Sequence, residues 1–154
     1  MSTEQISLMI ALSAVLISPF VSWKIAKKQI SAQVISTNRQ QWINELRDTI
    51  SEFLRDAKSL STGFLSKEKA FSRFELMALN LNRMELLINP KEPDHAELIR
   101  LAQSTLEHVR QTLIAKYASK EVTNRTERKT AIAAIPPVAQ RIFKQEWERV
   151  KSAS

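Results

Sequence analysis

Two histidines are the first residues of this chain whose chemistry invites a site. His95 and His108 lie 13 positions apart on one predicted helix, whereas two imidazoles that bind one metal from a helix lie one turn apart, at i and i+4. The sequence therefore predicts no metal site and no cofactor. No serine lies in a nucleophile-elbow motif, and no glycine-rich phosphate loop occurs. We expect a protein without enzymatic activity and assign no catalytic residue.

His95 is nevertheless a candidate ligand-binding residue, because it follows Pro90 and Pro93 at the start of a predicted helix. Two interpretations are open. The ring packs against the proline loop, or it joins the backbone amides of the helix start in contacting an anion. The adjacent Asp94 argues against the second interpretation, because its negative charge competes with an anion.

Arg39 and Arg83 border apolar stripes, and Trp42 lies close to Arg39. One expectation is that these arginines form ion pairs with carboxylates across the bundle. Arg39, for example, could pair with Glu85. A planar guanidinium also binds phosphate through two hydrogen bonds and stacks on bases. Trp42 is expected in the core, with a stacking face for a base as the alternative. All three residues are candidates for ligand binding.

The strongest predicted surface for an anionic ligand is a group of five basic residues. They are Lys116, Lys120, Arg125, Arg128 and Lys129. The group is either a solvated helix face or, if several chains associate, a surface on which a multiply charged ligand bridges neighbours. The net charge of +7, from 23 basic and 16 acidic residues, favours lipid headgroups, nucleic acid or a phosphorylated small molecule as partners.

The elements that position these residues are predicted to be helices. A single glycine among 154 residues is too few for β-hairpins, dinucleotide-binding folds or phosphate loops. We expect an all-α protein in which an N-terminal transmembrane helix precedes a cytosolic four- to five-helix bundle.

Hydrophobic spacing defines the helices of that bundle. The first carries Trp42, Leu46, Ile50, Phe53 and Ala57 on one face, and is either continuous with the anchor as a stalk or broken near Ser36–Asn38. The second runs from about Lys67 to Ile88 and is predicted to be central, with Phe71, Phe74, Ala78, Leu81 and Ile88 on its main stripe.

The third starts at Asp94 with a capping box to Glu97, and buries Leu98, Ala102, Leu106, Val109, Leu113 and Tyr117. Pro136 and Pro137 are expected to interrupt the last segment and to start a final helix, which buries Val138, Ile142, Phe143, Trp147 and Val150.

The segment Ile6–Trp23 holds eighteen residues without a formal charge and is followed by Lys24, Lys27 and Lys28. As a helix it is about 27 Å long, close to the roughly 30 Å of a bilayer's hydrocarbon core. A buried core helix is an alternative, and a cleaved signal peptide would carry its positive charge before the apolar run.

We expect residues 1–28 to form a single-pass anchor in the inner (cytoplasmic) membrane. Because positive charge favours the cytoplasmic side, the N-terminus lies outside and residues 29–154 form a cytosolic domain. We expect the protein to contact membrane lipids and to form a homo-oligomer.

Two segments, Asn38–Arg47 and Leu86–His95, resemble a pattern in small bacterial membrane-anchored proteins of largely uncharacterised function. The size and layout are similar to those of the membrane effectors that accompany type III CRISPR systems. The resemblance implies an oligomer whose cytosolic domain senses a cyclic oligoadenylate, such as cyclic tetra-adenylate, and whose helices then perturb the membrane in antiviral defence. No ligand-binding motif of such an effector maps residue by residue onto this chain.

The leading hypothesis is therefore an oligomeric, membrane-anchored effector whose basic domain binds an anionic nucleotide-like ligand. A scaffold or accessory subunit that holds a protein partner at the membrane is the alternative. A direct nucleic-acid binder ranks last, because the basic segment shows no recognition-helix pattern and no interleaved aromatics.

Overall fold

The fold consists of four α-helices in the part of the chain that the structure describes. This computed structural model describes the backbone of residues 3–62, 64–118 and 125–153, and the side chains of 19, 22–30, 33–62, 64–118 and 130–151. The helices are α1 (Thr3–Thr62), α2 (Lys67–Leu87), α3 (Pro93–Tyr117) and α4 (Arg125–Ala153). No strand occurs in these ranges, so the predicted all-α class is confirmed.

The first helix is continuous through the predicted break at Ser36–Asn38. Between Lys24 and Thr62 it contains no proline or glycine, so nothing in the covalent chain interrupts its hydrogen bonds. The side chains described from Ser22 to Val34 are exposed, whereas those of Leu46, Phe53 and Ala57 are fully buried. Residues 22–34, which we call the stalk, and the first helix of the bundle are thus one element. The predicted apolar face of the bundle part of α1 is confirmed except at Trp42, which is half-buried.

The second helix lies at the side of the bundle, contrary to the predicted central position. Its core face consists of Ala70, Met77, Leu81 and Met84, while Phe71 keeps 43% of its surface exposed. Only α1 and α3 of the described helices pack against it, whereas α1 contacts all three others. Apolar residues around most of a helix therefore did not mean burial on every side.

The third helix starts one residue earlier than predicted and without the expected capping box. Pro93 is the first helical residue, a position that suits its fixed φ and missing N–H. Asp94 accepts instead from Arg141 of α4 at 2.9 Å, and Glu97 pairs with Arg100. The predicted stripe is otherwise correct: Leu98, Ala102, Val109 and Leu113 are buried, and Leu106 and Tyr117 are half-buried.

The fourth helix runs through Pro136 and Pro137, so the predicted interruption is wrong. Both prolines are exposed, so their rings lie on the side of α4 away from the core, where the helix can pass through them despite the lost backbone donors. The opposite face buries Ile135, Val138 and Ile142. Val150 is also buried and Phe143 is half-buried, but Trp147 is 47% exposed, contrary to the prediction.

Among the residues described, no helix is both long enough and apolar enough to cross a membrane. The predicted anchor Ile6–Trp23 belongs to α1, but the side chains of 1–18, 20 and 21 lie outside the description. The anchor stays a prediction.

Candidate functional site

Three of the residues singled out from the sequence, Arg39, Trp42 and His95, line one open cleft of about 520 Å³. It lies where α1 leaves the bundle and meets the start of α3 and the last turns of α4. Ile35, Asn38, Leu87, Ile88, Asn89, Glu92, Glu146 and Arg149 complete its lining. We refer to it as the stalk-base cleft.

The turn between α2 and α3 forms one wall of the cleft and is held by hydrogen bonds at both ends. Trp42 Nε1 donates to the carbonyl of Leu87, the last residue of α2, at 2.6 Å. On the other side, the backbone N–H of Asn89 donates to His95 Nδ1 at 3.0 Å. α1 and α3 therefore fix this turn through one indole and one imidazole, whose rings stack with centroids 5.9 Å apart.

The hydrogen bond from Asn89 fixes the tautomer of His95. Because Nδ1 accepts from a backbone N–H, the single proton of the ring lies on Nε2. His95 is 3% exposed, and its Nε2 is buried with no hydrogen-bond partner within the described structure. The nearest acidic atom is Glu92 Oε2 at 3.8 Å. His95 thus packs on the proline loop, as one interpretation expected, and leaves one buried donor unsatisfied.

Two arginines and two glutamates form a linked ion-pair network beside this donor. Glu146 is almost fully buried; it pairs with Arg39 Nε at 3.2 Å and makes a close contact with Arg149 Nη1. Arg149 also reaches Glu92 at 3.2 Å, and this hydrogen bond lowers the pKa of Glu92 below its ordinary value. The two positive and two negative charges of this network balance. The buried carboxylate of Glu146 depends on its arginine partners, because a buried charge without a partner is strongly destabilising.

Glu92, His95 and Glu146 each offer a donor atom, all within 4.8 Å of one another, but the trio does not fit a metal ion in this arrangement. A metal-bound histidine donates its second ring N–H to an acceptor, whereas here Nδ1 itself accepts, and the proton on Nε2 occupies the nitrogen that faces the carboxylates. Both carboxylates are also engaged by arginines.

The other predicted candidates lie elsewhere. Arg83 lines a separate groove with Glu45, Asp48 and Glu52, so it does not join Arg39. Lys116 lies at the end of α3, with Nζ 5.0 Å from the ring of Tyr117.

The rest of the predicted basic surface falls outside the described side chains. Lys120 lies in the undescribed residues 119–124, and Arg125, Arg128 and Lys129 belong to α4 without described side chains. Nothing places these residues together.

Sequence reasoning missed Glu92, Glu146 and Arg149. Glu146 and Arg149 read as exposed charges of a C-terminal helix, since nothing in their local sequence indicates a carboxylate that packs beneath α1. The one local signal was the residue pair Glu92 and His95, whose i, i+3 spacing brings their side chains together at the start of α3.

Comparisons of this chain with protein-family models, with curated proteins and with solved structures found no match.

Proposed function

We propose that this protein is a membrane-anchored, non-enzymatic sensor in which an anionic, nucleotide-like ligand binds at the stalk-base cleft and changes how the stalk is held. A cyclic oligoadenylate such as cyclic tetra-adenylate is the suspected ligand, on the basis of the sequence resemblance. The proposed output is a perturbation of the inner membrane in antiviral defence.

The observation that carries this proposal is that α1 is one helix from Thr3 to Thr62 and itself lines the cleft. Arg39 and Trp42 project from the same helix that leads back to the proposed anchor. A ligand alters the stalk only if it binds two arrangements of the bundle with different affinity. A ligand that contacts Arg39 and Trp42 would have such a difference if α1 shifts against α3 and α4, because both residues belong to α1.

The chemistry of the cleft supplies a route for an anion to act. Arg149, with 46% of its side chain exposed, links Glu92 at the start of α3 to Glu146 in α4. A phosphate group binds a guanidinium through two hydrogen bonds and would compete with these glutamates for Arg149. Exchange of partners would loosen one of the links between α3 and α4, while Asp94 and Arg141 keep the other.

The N-terminal part of α1 supports the proposed anchor. The charge-free segment Ile6–Trp23 is followed by Lys24, Lys27 and Lys28, and Lys27 Nζ lies 5.4 Å from the centre of the Trp23 ring. An aromatic residue at the interface with lysines beyond it is the usual end of a transmembrane helix on its cytoplasmic side.

The stalk also supports a homo-oligomer. Trp23, Ile30 and Val34 are 52–62% exposed, and their spacings of seven and four place them along one side of α1. This is the repeat by which helices associate in coiled coils. Several anchors brought together in this way would respond jointly to the ligand.

The test is calorimetric titration of the full-length chain in nanodiscs with AMP, ATP and cyclic tetra-adenylate. We expect at least one of them to bind at micromolar concentrations, and Arg39→Gln to weaken that binding about tenfold through the loss of a charge-assisted contact. Arg100→Gln is the matched control, since Arg100 is exposed on α3 outside the cleft and pairs with Glu97. A folded sample that binds none of these nucleotides would reject the ligand class.

The alternative function, a scaffold that holds a protein partner at the membrane, is favoured by the outer face of α2. Phe71, Leu76, Leu79 and Leu86 are 43–87% exposed on this face, opposite its buried residues. Affinity purification from native membranes distinguishes the two functions: a scaffold retains a second protein in stoichiometric amount, whereas the sensor retains mainly copies of itself.

A further inference from the structure

The buried Nε2–H of His95 requires an acceptor, and the described part of the protein offers none within hydrogen-bond distance. A buried donor without a partner costs free energy, and such groups in native proteins usually meet water or a ligand. His95 also lines the stalk-base cleft. The occupant of this cleft is therefore expected to place an acceptor atom at His95.

The surroundings of Nε2 select the kind of acceptor. Glu92 Oε2 lies 3.8 Å from Nε2, and a carboxylate oxygen of Glu146 lies within 4.8 Å of a ring nitrogen of His95 and of a carboxylate oxygen of Glu92. A phosphate or carboxylate oxygen bonded to Nε2 would thus meet two like charges at close range. A hydroxyl oxygen avoids this conflict, because it accepts from the imidazole and donates its own proton to a carboxylate.

We infer that His95, Glu92 and Glu146 form a binding site for a sugar hydroxyl, and that the ligand of the stalk-base cleft carries a ribose-like ring which this site recognises. Carboxylates bind ribose hydroxyls in this way at the ends of dinucleotide-binding strands. This inference rests on the proposed function in one respect: it assigns the sugar of a nucleotide-like ligand to this site and its phosphates to the guanidinium groups.

Access to the site depends on Arg149. Its guanidinium joins Glu92 to Glu146 and remains 46% exposed, so it lies between the two carboxylates and solvent. When this arginine turns outward, a movement that a bound phosphate would favour but that is not limited to phosphate-bearing ligands, the carboxylates and His95 Nε2 become accessible to the sugar. The half-buried indole of Trp42 supplies an apolar surface beside them. The cleft volume of about 520 Å³ falls within the range of small-molecule sites.

The experiment compares ligands that differ only in their hydroxyls, so that it does not depend on a variant folding. Full-length protein in nanodiscs is titrated with AMP and 2′,3′-dideoxy-AMP, and with adenosine and 2′,3′-dideoxyadenosine. We expect each dideoxy compound to bind about tenfold or more weakly than its partner, because hydrogen bonds to charged groups are lost. Glu92→Gln is expected to reduce this ratio, whereas Glu85→Gln, whose glutamate bonds Gln103 away from the cleft, leaves it unchanged.

Each outcome decides between the two proposals. Equal binding of hydroxyl and dideoxy forms would overturn the sugar site and leave the nucleotide sensor standing. Binding of adenosine with the expected ratio, but no gain from added phosphate, would support the sugar site and count against the anionic ligand. If none of these four probes binds, the sugar site is overturned, and the titrations with ATP and cyclic tetra-adenylate decide the nucleotide sensor separately.

Discussion

Two buried carboxylates in this molecule, Asp56 and Glu146, each sit beside a pair of arginines but in different surroundings. Asp56 is completely buried between α1 and α2, where Arg73 reaches it at 2.8 Å and Arg55 at 3.2 Å. Glu146 is paired equally well, yet it stands beside the unsatisfied donor of His95 and an open cleft.

The contrast shows that a buried ion pair alone does not indicate function. The groove next to Arg55 and Arg73 is larger than the stalk-base cleft, at about 880 Å³, but no buried side-chain donor in the described structure is left unsatisfied there. The ion pairs of Asp56 join two helices and require nothing further. The network at Glu146 stands beside a buried donor, His95 Nε2, that has no partner in the described structure.

The largest expected difference between the two regions is a change in the free energy of unfolding, at the ion pairs of Asp56. Arg73→Ala leaves the Asp56 carboxylate buried with Arg55 alone, and we expect the free energy of unfolding to fall by about 3 kcal/mol, the lower end for a broken buried pair. Nucleotide affinity should stay unchanged. Urea unfolding of the full-length chain, followed by circular dichroism, measures the first quantity and calorimetry the second. A loss of affinity in a folded sample would mean that the two regions are coupled.

Trp42→Phe probes the opposite region with a smaller effect on stability. The substitution keeps an aromatic ring near His95 but removes the Nε1–H bond to the carbonyl of Leu87. The expected cost is about 1 kcal/mol in unfolding free energy, together with weaker ligand binding, because the turn that forms the cleft wall loses one attachment. Trp147→Phe serves as the control, since its ring is 47% exposed. Unchanged affinity would remove Trp42 from the site.

Acid should affect the cleft through Glu92. Its hydrogen bond with Arg149 lowers the pKa of this carboxyl in the folded state below the ordinary value of 4.5. The folded state therefore binds fewer protons than the unfolded state, and this contribution to stability is present above that value and lost as the pH falls through the folded pKa. Thermal unfolding at about pH 6 and about pH 3 should show a smaller decrease in Tm for Glu92→Gln than for the unmodified chain. An equal decrease would mean that Glu92 is not paired in solution.

The smallest effect is expected at an ion pair that belongs to neither region. Arg110 and Glu107 face solvent on α3, 2.7 Å apart, and Arg110 with Gln111 lowers the pKa of Glu107 to about 2. Because water screens exposed pairs, Arg110→Gln should change the unfolding free energy by less than about 0.5 kcal/mol. A larger loss in urea unfolding would show that burial is not what makes the ion pairs of Asp56 more important for stability than exposed ones.

The fold was largely accessible from the sequence, because the periodicity of Leu98, Ala102 and Val109, or of Leu46, Ile50 and Phe53, reports the buried face of each helix directly. The errors arose where context outweighs local preference. Pro136 and Pro137 continue α4 on its exposed side, and Phe71 stays 43% exposed although its ring lies 5.9 Å from that of Tyr117 in α3.

The site was accessible only in part. Arg39 was recognisable at the border of an apolar stripe, Trp42 on that stripe, and His95 after two prolines at the start of a helix. Their partners Glu146 and Arg149 lie on a helix more than fifty positions away from His95 in the chain, and no local pattern records that α4 returns alongside the stalk. The tautomer of His95 likewise depends on a hydrogen bond from Asn89 that follows from the turn geometry alone.

The uninterrupted helix α1 also sets a distance. With a rise of about 1.5 Å per residue, the stretch from Trp23 to Trp42 separates the two indoles by about 28 Å along the axis. If Trp23 marks the level of the lipid headgroups, the cleft lies well beyond the Debye length of about 8–10 Å at physiological salt. In that case the negative surface potential of the bilayer would be screened out at that height, and a polyanion approaching Arg39 and Arg149 would encounter the protein's own charges without repulsion from the proposed membrane below.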